Sequence, residues 1–351
     1  MALFKQSTAI GLEIDTEIIR VVELKGTPKN TVLTAIDQIQ IPENAVTEGT
    51  VNDGSAVGLA LEELWAKAGI RKRDVILGVL NQGVLMRMAK LPKIPEKKLS
   101  KAIRFQAEEY FPIPVAEMVL DYSFIGETKS NNGSEMELLL VAARREILNK
   151  SLKALSFGSI SPLIIEPSNL ATMHTLAEDQ FSGNVVLLDI SNGLSSLLLI
   201  NDGVPRFSRV LPHSMKSYSE EKGLPQMDSP LAMASVAAAA EGREPNENKG
   251  DGDTLFHWGT ALANDVRASI SYYITQTRTG SVDKIFISGQ GARLEGLPEL
   301  IQEELEVPVN VVDPFAKLSK ISGVPGINIE QEGTDFAVTV GLALRGLEAH
   351  S

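Results

Sequence analysis

The stretch Ile10-Gly11-Leu12-Glu13-Ile14-Asp15-Thr16-Glu17-Ile18-Ile19-Arg20-Val21-Val22-Glu23-Leu24 decides the fold. Its apolar residues alternate through Ile14, break at the polar Asp15-Thr16-Glu17 and resume at Ile18, the pattern of strand, turn, strand. Glu13 stands inside a strand of buried type, just before the polar turn. The arrangement recurs at Val186-Leu187-Leu188-Asp189-Ile190-Ser191-Asn192-Gly193 and continues as a second apolar strand to Asn201. Overlaying the hairpins puts Ile10 on Val186, Leu12 on Leu188, Glu13 on Asp189, Ile14 on Ile190 and Val22 on Leu198, a constant offset of 176 residues. Hairpins resemble one another often by chance. An offset of half the 351-residue chain is what points to internal duplication, with two related α/β lobes each contributing one acidic hairpin.

The surroundings agree with α/β lobes. A third strand reads over residues 31–41. A helix follows over 55–68, with Val57, Leu61, Leu64 and Trp65 on one face and Gly69 beyond its end, and then a buried-type strand at 75–80. The composition changes after Gly83. Residues 84–91 run into Leu91-Pro92-Lys93-Ile94-Pro95. The next helix, 96–110, spaces Leu99, Ile103, Gln106 and Tyr110 at helical steps and stops at Phe111-Pro112-Ile113-Pro114. Strands at 119–125 and 137–143 flank Asn131-Asn132-Gly133, a hairpin signal, and a helix at 144–157 precedes Gly158. Residues 84–162 therefore read as a small α+β insert. In the second half, 211–226 reads as irregular. Ser229-Pro230 starts an Ala-rich helix to about 241, and 243–253 lacks apolar residues and reads as a flexible loop. Trp258, Leu262, Val266, Ile270 and Tyr273 form one face of a long helix. A strand at 284–288, a helix at 297–305, a strand at 307–312 and a helix at 335–347 complete the chain.

Composition excludes several classes. Lys plus Arg is 33 against 45 Asp plus Glu, a net charge of −12, which lacks the basic face that nucleic acid requires and disfavours adsorption to anionic lipid. With no cysteine there is no disulfide, thiolate metal site or cysteine nucleophile, which fits a reducing compartment. Residues 1–10 do not read as a secretory signal, and no run approaches the ~20 apolar residues of a membrane span. His174, His213, His257 and His350 show no metal-ligand spacing and read as exposed or packed. P-loop and G-x-S-x-G motifs are missing. Gly289-Gln290-Gly291 lies between a strand and a helix, but the next glycine, Gly296, comes too late for a dinucleotide fingerprint.

Two acidic hairpins facing a cleft can hold a nucleotide triphosphate. Backbone N–H groups donate to the phosphates, carboxylates hold Mg²⁺ or its water shell, and a glycine turn sits under the adenine. At these residues the sequence resembles the actin-like ATPase superfamily, and within it the type IV pilus assembly protein PilM family, related to the cell-division protein FtsA. The resemblance runs over nearly the whole chain. Its most specific part is the insert, with Arg87, Leu91-Pro92-Lys93-Ile94-Pro95, Ile103-Arg104-Phe105-Gln106-Ala107-Glu108, Tyr110-Phe111-Pro112-Ile113-Pro114, Asp121-Tyr122 and Val141-Ala142-Ala143-Arg144. Phe207-Ser208-Arg209, Ile287-Ser288-Gly289-Gln290-Gly291-Ala292-Arg293-Leu294, Val312-Asp313-Pro314-Phe315 and Gly341-Leu342-Ala343-Leu344-Arg345 extend it.

The resemblance implies a duplicated actin-like (ribonuclease H-like) α/β fold, two lobes around a nucleotide cleft. Residues 1–83 and 163–183 would form the core of lobe I, 84–162 an insert of the PilM/FtsA 1C type, 184–210 and 277–351 the core of lobe II, and 211–276 its helical subdomain. It implies ATP and Mg²⁺ as cofactors. The nucleotide would be held by Glu13, Asp15, Thr16, Arg20, Asp189, Ser191, Asn192, Gly193, Gly289, Gln290, Gly291 and Arg293, and Mg²⁺ would be reached through bound water from Glu13 and Asp189. It implies an adaptor of the type IV pilus or a related secretion machine, in the cytoplasm beside the inner membrane. Such an adaptor binds the N-terminal tail of a PilN-like membrane protein, with other assembly components around it, neither inserting into the membrane nor binding nucleic acid.

The departures fall in the turns. Asp15 stands where the family has Gly, and a carboxylate about 4 Å from a phosphate costs about 1 kcal/mol in water and about 4 kcal/mol at an effective dielectric of 20. Ser191 replaces the Gly of an Asp-Ile-Gly start, and the glycine has moved to Gly193. Leu211-Pro212-His213-Ser214 replaces a Gly-Gly step and the helix after it, and Gln290 replaces a Gly. A weak ATPase adaptor and a scaffold that has lost its phosphate turns both remain open on these residues, as does a cell-division or kinase relative.

Overall fold

A computed structural model describes residues 7–27, 29–130, 133–222, 249–321 and 327–349. The first hairpin forms as its alternation predicts: β1 (Ser7–Asp15) pairs antiparallel with β2 (Ile18–Thr27), and β2 with β3 (Asn30–Gln40). A two-strand ribbon, β4 (Val46–Thr47) and β5 (Thr50–Val51), leads to the helix Gly54–Ala68. Asp53 caps that helix by accepting the N–H groups of Ser55 and Ala56, both at 3.0 Å, and Gly69 ends it in the left-handed region at φ 67°. Val57, Leu61, Leu64 and Trp65 turn inward as the spacing requires. The next strand, β6 (Asp74–Val79), runs parallel to β1, as a strand reached through a helical crossover does.

The insert carries β7 (Val84–Pro92), the helix Glu96–Tyr110, β8 (Met118–Ser130) and β9 (Gly133–Arg144), with an antiparallel sheet in the order β7-β9-β8. Leu99, Ile103, Ala107 and Phe111 lay the helix against Ala89, Leu91, Leu138 and Leu140, a core separate from that of the lobe. The helix Arg145–Phe157 does not share it. Ala154 and Leu155 pack with Leu61 and Leu64 under the first sheet, and β10 (Ser161–Pro167) joins β6 in parallel. The self-contained part of the 84–162 block thus ends near Arg144. Periodicity showed a helix at 144–157 but not which core its apolar face would meet.

The second lobe repeats the topology. β11 (Asn184–Ile190), β12 (Ser195–Asn201) and β13 (Val204–Leu211) form an antiparallel meander, and β14 (Lys284–Ser288) lies parallel to β11 as β6 lies parallel to β1. β15 (Val309–Val311) extends this sheet, and β16 (Lys320–Ile321) returns to edge the first one beside β3. Against the second sheet lie Trp258, Leu262, Val266 and Tyr273 of the helix Lys249–Thr277, and Leu297 and Ile301 of the helix Leu297–Leu305. The last helix, Ala337–Ala349, is buried along most of its length against Ile76, Val22 and Leu24 of the first sheet, tying the end of the chain to its beginning.

Two segments differ from the sequence reading. Residues 215–222 form a helix, Met215–Lys222, where an irregular stretch was expected and the helix after Arg209 was read as replaced. Ser214 and Ser217 nucleate it: the Ser214 N–H donates to Ser217 Oγ at 2.9 Å and the Ser217 N–H to Ser214 Oγ at 3.2 Å, a reciprocal cap. The loop expected at 243–253 is helical from Lys249 on. The Ala-rich helix expected at 229–241 lies outside the described residues.

Candidate functional site

The two hairpin turns meet in the cleft between the sheets. Strand register sets Glu13 opposite Arg20 at the end of β1, and the Thr16-Glu17 turn closes with Glu17 at φ 66°. In the second copy Asp189 lies opposite Ser196 and beside Ser288 of β14, and Ser191 to Leu194 make the turn.

Asp15 crosses from one lobe to the other. Its Oδ1 accepts the N–H of Thr16 at 2.7 Å and of Gly193 at 3.1 Å, and its Oδ2 accepts the N–H of Asn192 at 3.0 Å. Asn192 Nδ2 donates to the Thr16 carbonyl at 2.6 Å, and Lys216 pairs with Glu17. The Arg20 guanidinium, 1% exposed, lies 3.8 Å from Asp15 Oδ2 and 3.9 Å from Glu13 Oε2. Burial pushes the Asp15 carboxyl up to about 6, against the pull of Arg20 and of the three backbone N–H groups. Burial also raises Glu13 well above the carboxylate range, with Arg20 opposing it and Asp15, Asp189 and Asp335 adding to it.

Asp189 is satisfied within its own lobe. Ser288 Oγ donates to Oδ1 and Ser191 Oγ to Oδ2, each at 2.6 Å. Ser191 therefore has a structural reason to stand where a glycine was expected, since a buried carboxylate needs donors. The glycine has moved for a steric reason: a Cβ on Gly193 would lie 2.0 Å from Thr16 Oγ1 and 2.8 Å from Asp15 Oδ1.

The glycine turn behind β14 packs on protein. Gly289 adopts φ 78° and its N–H donates to the Thr334 carbonyl at 3.1 Å, while a Cβ on Gly291 would lie 2.4 Å from the Ile190 side chain. Gln290 is buried beside it. Arg293 turns toward the entry of the last helix and grips Asp335 with two hydrogen bonds, Nε to Oδ1 at 2.8 Å and Nη2 to Oδ2 at 2.7 Å. The structure thus gathers Glu13, Asp15, Thr16, Arg20, Asn192 and Gly193 at one point, with Asp189, Ser191, Gly289, Gln290 and Gly291 adjoining, and directs Arg293 to Asp335. Sequence reading missed Glu17, Lys216, Ser288 and Asp335. Ser288 alone carried a signal, as the neighbour of the glycine turn.

Magnesium triphosphate does not fit the cleft as built. The N–H groups that would hold a phosphate hold Asp15, and Ser191 and Ser288 donate to the two Asp189 oxygens.

His174, read as packed or exposed, lies between two carboxylates, with Nε2 3.5 Å from Glu166 and Nδ1 3.4 Å from Glu348. His213 Nε2 meets Asp265 at 3.0 Å.

Two sheets of one topology, joined hairpin to hairpin across a cleft, define an actin-like protein. EutJ, an ethanolamine utilization protein from Carboxydothermus hydrogenoformans, aligns at TM-score 0.53 and 12% identity, over 96% of this chain and 89% of that one. MreB 5 of Spiroplasma citri, solved bound to AMPPNP, aligns at TM-score 0.52 and 11% identity, over 98% and 97%. A PilM-PilN type IV pilus biogenesis complex aligns at TM-score 0.80 and 27% identity, over 97% of this chain and 98% of that one. The family of type IV pilus assembly protein PilM matches residues 11–347, and this chain belongs to that family.

Proposed function

We propose that the chain is an adaptor that docks the cytoplasmic N-terminal tail of a PilN-like inner-membrane protein, and so holds the pilus machine to its cytoplasmic side. The observation that carries this reading is an open pocket of about 310 Å³ on the insert, between the helix Glu96–Tyr110 and β8. Its lining is mostly polar, from Ser100, Arg104, Tyr122 and Arg145, with a smaller apolar share from Ile103, Val119 and Leu120; Arg145 also donates to the Met118 carbonyl at 2.9 Å. An extended tail offers what such a polar pocket takes: backbone carbonyls and acidic or hydroxyl side chains for the Arg104 guanidinium and its polar neighbours. The similarity to the PilM-PilN complex supports the choice of partner.

No helix among the described residues is long and apolar enough to cross a membrane. We divide the chain into lobe I (1–83, 145–183, 320–321 and 327–349), insert (84–144), lobe II core (184–210 and 277–319) and a helical subdomain (211–276), moving the helix Arg145–Phe157, β16 and the last helix to lobe I because each packs on the first sheet or its core. Of the two readings of the cleft, a scaffold without hydrolysis is favoured by the two serines on Asp189.

The test is capture of the full-length chain on the immobilised N-terminal tail of the membrane protein encoded beside it. Capture is expected, and its loss in Arg104→Glu, an exposed position, without loss of folding. Failure to bind the tail at all would defeat the proposal.

A further inference from the structure

We infer that Asp15 is a resident anion: its carboxylate fills the seat that the second hairpin turn offers to an anionic oxygen, and so clamps the two lobes without nucleotide. The inference rests on the actin-like cleft and stands apart from the tail-docking reading.

Successive N–H groups converging from a turn make a concavity that takes an anionic oxygen, a phosphate's or a carboxylate's alike. In this chain Asn192 and Gly193 form such a turn, and both N–H groups end on Asp15, at 3.0 and 3.1 Å. Thr16, the next residue of Asp15's own turn, adds a third N–H at 2.7 Å. Asp15 and Asn192 are both buried, so water does not replace these donors. The fit is mutual. Gly193 is bare of a side chain where the Asp15 turn presses on it, and Asn192 Nδ2 reaches past Asp15 to the Thr16 carbonyl at 2.6 Å. Lys216 on Glu17 adds a further tie between the lobes at the rim of the same contact.

Two of the departures from the family's turns, Asp15 and the glycine moved to position 193, are thereby explained together. A glycine at position 15 would leave the seat open to an outside phosphate, whereas an aspartate brings its own oxygens. Once Asp15 is present, the facing turn must be bare at the point of contact, which is residue 193. An incoming phosphate would have to displace a carboxylate held by three N–H groups and then lie against it, like charge on like. Arg20 lies between Glu13 and Asp15, so the nearest cation already faces internal carboxylates.

The test compares the full chain with Asp15→Gly and Asp15→Asn, reading amide hydrogen exchange at Asn192 and Gly193 and titrating ATP with Mg²⁺. Without nucleotide, exchange at these two amides should be at least tenfold slower in the natural chain than in Asp15→Gly. Mg²⁺·ATP should bind Asp15→Gly at least tenfold more tightly than the natural chain, and restore protection to the two amides. Equal exchange in both chains, equal ATP affinity, or no ATP binding by Asp15→Gly would each overturn the inference. If Asp15→Gly does not fold, Asp15→Asn decides. An amide has one acceptor oxygen in place of two, so at least one of the two N–H groups should lose protection, and unchanged exchange at both would refute the clamp. Tail capture by Asp15→Gly keeps a failure here distinct from a failure of the docking proposal.

Discussion

Asp15 and Gly193, 178 residues apart in the chain, meet across the cleft: Asp15 Oδ1 accepts the Gly193 N–H at 3.1 Å, and a Cβ on Gly193 would stand 2.8 Å from that same oxygen. The contact joins lobe to lobe through one carboxylate and one bare backbone, so each residue sets the other's identity.

The first expectation concerns Gly193→Ala. The added methyl would lie 2.0 Å from Thr16 Oγ1 and 2.6 Å from its Cβ, so the two turns must part. Urea unfolding should show a loss of about 1–3 kcal/mol. A change below about 0.5 kcal/mol would mean that the turns are not pressed together.

A second concerns pH. Burial pulls the His174 imidazolium down, but hydrogen bonds and charges from Glu166 and Glu348 outweigh it and raise the group to about 9. A histidine raised in the folded chain stabilises fully below its unfolded value of about 6.5, and that contribution fades as pH rises through about 9. Unfolding free energy should fall by on the order of 1–3 kcal/mol between pH 6.5 and 10, the lower end reflecting the side chain's 23% exposure. The fall should vanish in His174→Gln. Asp15 acts in a separate window. Raised to about 6, it lowers stability as pH climbs from about 4 through 6, where His174 remains fully charged. A slope above pH 6.5 that survives in His174→Gln would assign the effect elsewhere.

The third concerns the glycine turn. Arg293 holds Asp335, 4% exposed, by a two-pronged contact that pins the turn behind β14 to the entry of the last helix. Asp335→Ala should lower stability by about 2 kcal/mol, and Arg293→Lys, which keeps the charge and loses the fork, by about half of that. Equal stability of Arg293→Lys and the natural chain, read from thermal melts, would show that the fork adds nothing beyond charge.

Both hairpins were legible in the sequence because strand alternation and a carboxylate before a polar turn are local patterns. The half-length offset made the repeated lobe legible too. What the two turns do to each other was not, since a bond between Asp15 and Gly193 depends on how the lobes close and no spacing rule reaches across 178 residues. The moved glycine was visible as a departure, and its cause became visible only with the Thr16 turn against it. The helix Met215–Lys222 escaped notice because it is short, sends only Met215 and Tyr218 into the apolar core, and has its start marked by Ser214 and Ser217, a weaker signal than a run of apolar residues. The helix Arg145–Phe157 was found but placed with the wrong neighbour, because an apolar face names no partner. The pairing of Arg293 with Asp335 left no trace in either local sequence.

The adaptor reading is tested most directly by calorimetric titration of the full-length chain with a synthetic peptide of the membrane partner's N-terminal tail, with and without Mg²⁺·ATP. A scaffold clamped by its own carboxylate should bind the tail with the same affinity in both conditions, and at least tenfold more weakly in Arg104→Glu. Absence of binding, or binding that appears only with nucleotide, would contradict it.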